Sequence, residues 1–216
     1  MISILPYIPN LYSSTWFWWT MLGLLGVLVL NMALGMNVGG MFRSVFGSSE
    51  RVYTFHSIGI LGDVSQLLYR VGLLSLTVLW VVSSGIDASA WHYLMVLAVV
   101  SGVYTVQYVV MRLIGAVYIP VKLMDNLLEQ YKTIRMLICC LLFPILLVCA
   151  NSTNNILPLI LLGILLLVYL ICIILKGIQN LYSNALSILY ILLYTLSLEV
   201  VPLAAVCYLT RLLIRL

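Results

Sequence analysis

Hydrophobic positions along this chain come in long runs rather than in alternation with polar ones. A helix needs about 20 residues to cross the hydrocarbon of a bilayer, and lipid offers no partners to a backbone group that is not bonded within its own segment. Six stretches suit that requirement, at about residues 15–37, 64–86, 90–112, 136–150, 156–175 and 184–210. The pattern predicts an all-α fold: a polytopic membrane helical bundle of about six transmembrane helices, in a single domain over residues 1–216.

The breaks between the runs are informative. The first run ends in "GMNVGG", where Gly35, Gly39 and Gly40 stop the helix; Gly35 and Gly39 also have the small-xxx-small spacing of touching membrane helices. Residues 41–62 mix Phe42, Phe46, Tyr53 and Phe55 with Arg43, Glu50, Arg51 and His56, as expected of an interfacial segment lying along the headgroups. Asp63, with Gln66 three residues on, resembles a capping box and predicts the start of the second span there. Arg70, two turns in, is expected to snorkel back to the interface. Trp91 and His92 are placed at the mouth of the third span as interfacial anchors. Pro120 suits the first turn of the next helix, which carries Lys122, Asp125, Glu129, Lys132 and Arg135 before turning wholly apolar: a cytoplasmic amphipathic extension of the fourth span.

Composition narrows the class. The chain is 64% hydrophobic and 7% charged, with a mean hydropathy of +1.20, where soluble domains carry roughly 25% charged residues. Its first 42 residues hold no charged side chain, so no removable leader is expected, and Trp16, Trp18 and Trp19 mark the first crossing at headgroup level. Five cysteines (Cys139, Cys140, Cys149, Cys172, Cys207) lie in apolar runs without metal-binding or redox spacing, and read as small apolar fillers.

The net charge of +4 matters by position. Arg43, Arg51, Arg70, Arg112, Lys122, Lys132, Arg135 and Lys176 all fall on one side of the six-span layout, and Arg211 and Arg215 on the other. The first side is therefore expected to face the cytoplasm, with both chain ends on the far face. In an alternative layout the sixth span ends near Leu198 and "LAAVCYLTRLLIRL" lies along the outer interface.

Glu199 stands out within the sixth run. An acidic side chain near a helix centre disfavours insertion by about 2.5–3.5 kcal/mol, so it should be protonated, hydrogen-bonded or facing a wet cavity. Pro202 removes a helix bond from the carbonyl of Leu198 and is expected to kink the helix. Asn184, Thr195 and Glu199 share one helix face; Tyr194, with Tyr190 and Ser197, forms an adjacent strip. Glu199, Pro202, Tyr194 and Thr195 are thus the candidate residues, either locking the sixth helix to its neighbours or binding a proton, a cation or a partner's basic group. Asn31, Gln107 and Arg112 are expected to come together low in the membrane. No HExxH, paired Asp motif or phosphate-cradling Gly loop is present, and the two histidines, His56 and His92, lie on opposite faces of the membrane, so neither enzymatic activity nor a cofactor or metal is expected.

At "LYTLSLEVVPL", residues 193–203, the chain resembles the domain of unknown function family 4271, multi-span membrane proteins of Bacteroidota. Its members similarly end in a Tyr-bearing apolar helix with a Leu-Glu pair and a Pro three residues after the Glu, here Leu198, Glu199 and Pro202. The resemblance implies a bacterial inner (cytoplasmic) membrane and cell-envelope location. Together with the residues it leads to the expectation of a non-catalytic subunit or accessory, scaffolding factor of an envelope complex. Its partners would be membrane lipids and other inner-membrane proteins, with no nucleic acid. The alternative is a small transporter or lipid-handling protein with Glu199 as coupling carboxylate.

Overall fold

The computed structural model describes residues 15–46, 59–82, 89–118, 121–151, 156–181 and 200–215. They form α1 (Thr15–Ala33), α2 (Val38–Phe46), α3 (Gly59–Val82), α4 (Ala90–Tyr118), α5 (Val121–Asn151), α6 (Ile156–Leu181) and α7 (Val201–Arg215). Five of these helices, α1, α3, α4, α5 and α6, are long and apolar enough to cross a membrane, and the bundle is all-helical as the runs predicted. α7 is a shorter apolar helix. Residues 184–199 of the expected sixth run lie outside the described residues.

α1 ends for the reason its glycines suggested. Gly35 takes a left-handed φ of 95°; its amide donates to the carbonyl of Met32 and the amide of Met36 to that of Asn31, which closes the last turn in a Schellman arrangement. Asn37 then caps α2, its Oδ1 accepting from the amide of Gly40 at 3.1 Å. α2 is the beginning of the expected interfacial segment, although it starts earlier, at Val38, and residues 47–58 lie outside the described residues. Met41 and Val45, four apart, face inward, and Phe42 and Phe46 stack outward with ring centroids 4.7 Å apart.

α3 is the central helix: 67% of its span is buried, against 22% of α1 and of α6 and 17% of α4. It packs against α1, α4, α5 and α7. Its sequence explains the placement, because Ser65, Gln66, Arg70 and Ser75 lie on it and are all buried, and a helix with that many polar groups is better solvated by other helices than by lipid. By contrast α6 is the most apolar span and is largely exposed.

Two registers fix α3. Against α1 it runs antiparallel: Ser65 Oγ donates to Asn31 Oδ1 at 2.7 Å, and seven residues further along each helix Gly72 meets Leu24. Against α5 it runs parallel, with Asp63 paired to Lys132 and Tyr69 Oη reaching the carbonyl of Cys139 at 3.5 Å. The second register corrects the expected start of the span. α3 begins at Gly59, so Asp63 stands in its second turn and is no cap; its carboxylate goes across to α5.

α4 begins at Ala90 as expected, and His92 has a local task there. The amide of Ser89 donates to His92 Nδ1 at 3.1 Å, with the Ser89 hydroxyl 2.8 Å from the same atom, a cap in which His takes the place of the usual Glu or Gln. Trp91 beside it is exposed. α5 is one continuous helix through its amphipathic start and its apolar remainder, with Pro144 inside it. The five cysteines are free thiols, three buried and two half-buried.

Candidate functional site

Of the residues singled out in the last apolar run, Tyr194, Thr195 and Glu199 lie outside the described residues. Pro202 is half-buried and is the second residue of α7. The carbonyl of Leu198, on which the expected kink turns, also lies outside the described residues.

The structure gathers a different set of polar side chains, at the end of the bundle where α1 finishes and α3 begins. Asp63 and Lys132 form a half-exposed ion pair between α3 and α5. One turn deeper, Gln66 is 1% exposed and its Nε2 has no hydrogen-bond partner. Arg70, one turn deeper again, does not snorkel: it is 7% exposed, and its Nε donates back to the carbonyl of Gln66 at 3.3 Å.

Arg135, expected on the cytoplasmic extension, also turns into the bundle. Its guanidinium lies over the Tyr104 ring at 5.4 Å from the centroid, and its Nε donates to Tyr169 Oη at 3.3 Å. An arginine keeps its charge in almost any surroundings, and an aromatic face with a hydroxyl acceptor offsets part of the lost hydration. The Arg135 guanidinium thus links α4, α5 and α6 well inside the bundle.

Beside this cluster, between α2, α3 and α5, lies a cleft lined by Met41, Gln66, Glu129, Lys132, Thr133 and Met136, with space of about 20 Å³. That is room for about one water molecule, too little for a solute to be enclosed. Thr133 Oγ1 is taken by the carbonyl of Glu129 at 2.9 Å. Among the described residues no three His, Cys, Asp or Glu side chains converge as metal ligands do.

The expected patch of Asn31, Gln107 and Arg112 separates into local contacts. Asn31 bonds Ser65 through Oδ1 and the carbonyl of Val27 through Nδ2, Gln107 is buried, and Arg112 is exposed with Nε on Tyr108 Oη at 3.2 Å. The cluster around Gln66 and Arg70 was missed because each residue was read alone. Asp63, Gln66 and Arg70 are three and four apart and share a face of α3, and that repetition was the available signal that the face meets protein.

A bundle with five apolar spans among its described residues, the central one carrying buried polar side chains, is a multi-pass membrane protein. More narrowly, the chain belongs to the family described as Domain of unknown function (DUF4271), which matches residues 17–210, from α1 to α7. No curated protein matches the chain, and no solved structure does.

Proposed function

We propose that the protein is a non-catalytic subunit or scaffolding factor of a bacterial inner-membrane, cell-envelope assembly. Its docking surface is the joint unit of α2 and the beginning of the membrane-embedded part of α5. The observation that carries this reading is the packing of α2 directly on α5, with Met41 and Val45 turned in and the stacked Phe42 and Phe46 turned out. α2 and the stretch of α5 from Glu129 to Met136 therefore lie side by side. A rigid aromatic pair on a short amphipathic helix provides contact area at little cost in side-chain entropy, which is what a protein interface uses at its centre. Asn31, Ser65 and Arg135 make contacts between helices, which also supports a structural role.

The test is site-specific photocrosslinking in the native membrane. A photoreactive residue replacing Phe46 is expected to capture one reproducible protein partner, whereas the same residue at Leu167 on α6, which is 59% exposed, is expected to capture lipid alone. Capture of lipid alone from both positions would remove the docking reading.

A further inference from the structure

The cleft between α2, α3 and α5 combines features that its contacts within the protein do not use. Gln66, 1% exposed, lines the cleft, and its buried Nε2 is a hydrogen-bond donor with no acceptor among the described residues. A buried donor left in that state is unfavourable unless something enters to accept from it. Lys132 offers three donors and gives one to Asp63. Glu129, exposed at the mouth, forms no ion pair with the described residues. Met41 and Met136, each 1% exposed, make the apolar floor.

Size and charge narrow the occupant. Asp63 and Lys132 form a half-exposed pair within the first turns of the apolar stretches that start at Leu61 and Leu128, and Gln66 lies three residues, about 4.5 Å of helix, further in. The space admits about one oxygen atom, so a phosphate oxygen can enter while the rest of the group stays outside. A fully anionic headgroup would meet the carboxylates of Glu129 and Asp63, and a quaternary ammonium has no proton to give them.

We propose that this cleft is a binding site for a phosphatidylethanolamine headgroup, with Gln66 and Lys132 donating to its phosphate oxygens and Glu129 receiving its primary ammonium. The site stands whether or not α2 docks a protein.

The full chain is purified into nanodiscs of phosphatidylethanolamine, phosphatidylcholine or phosphatidylglycerol, then released into detergent, and bound lipid is counted by native mass spectrometry alongside thermal unfolding. Phosphatidylethanolamine is expected to be retained at least tenfold above the other two and to raise the unfolding temperature. Gln66→Leu should lose that retention, and Glu129→Gln should abolish the preference over phosphatidylcholine while the fold is kept. If Gln66→Leu fails to fold, the exposed Glu129→Gln decides. Equal retention of all three lipids, or unchanged preference in Glu129→Gln, would show that the cleft holds water only and overturn the site. Equal stabilisation by soluble glycerophosphoethanolamine would overturn the lipid as its source.

Discussion

Asn31 shows how much one side chain can settle. Its backbone carbonyl accepts the amide of Met36 that closes α1, its Nδ2 donates to Val27, and its Oδ1 accepts from Ser65 on α3. Its partner side chain is thus on α3, in place of the expected patch with Gln107 and Arg112. Such bonds contribute modestly in membranes, about 0.6 kcal/mol on average and up to about 1.7. Asn31→Leu is therefore expected to destabilise the protein by about 1 kcal/mol in detergent unfolding. In that variant the Ser65 hydroxyl keeps the carbonyl of Gly62 at 3.0 Å, whereas Ser65→Ala takes the donor from the buried Asn31 Oδ1 and should cost at least as much; the double variant should cost less than the two single effects added. Arg70 is the instructive contrast. Snorkelling is a property of a side chain on a free helix surface; it does not describe a residue whose face is turned toward α5 and α4.

For the elements, the spans were legible because length and hydropathy answer to the bilayer alone. What they touch was not. α3 approaches α1 so closely at Gly72 that a Cβ there would lie 2.8 Å from Leu24 Cδ2 and 3.3 Å from Tyr93 Oη, and Tyr93 donates to the Gly72 carbonyl at 3.3 Å. Replacing Gly by Ala gains about 1 kcal/mol of helix propensity, which offsets part of an overpacking cost of about 1–3 kcal/mol. The larger Gly72→Val should leave no such balance: a loss of at least about 2 kcal/mol is expected in thermal unfolding. Leu24→Ala in the same chain should recover part of it by clearing the contact. The start of α3 was misplaced for a related reason. Asp63 looked like a local cap, but its carboxylate finds a cation 69 residues away.

Taken whole, the expected layout puts eight of the ten basic side chains on one side, all but Arg211 and Arg215, and positive charge near membrane spans favours the cytoplasmic side. With single cysteines introduced, a membrane-impermeant thiol reagent should label Trp91→Cys, at the start of α4, in intact cells. Glu129→Cys, on α5 at the opposite end, should react only after the membrane is opened. The parent chain provides the background, its own cysteines being buried or half-buried. Labelling in the reverse pattern would invert the orientation and move the α2 and α5 surface to the outer face.

By itself the sequence determined that this chain lives in a membrane as a bundle of long helices, since a run of apolar residues has few other stable states beside lipid. It also determined where α1 stops, because a glycine at positive φ acts within a few residues. Only the tertiary structure decided which span is central, that Arg70 and Arg135 turn inward, and that Gln66, Glu129 and Lys132 surround one cleft. Those facts depend on helix rotation and register, which arise from pairings between residues far apart in the chain and leave no trace in the local pattern of any one run.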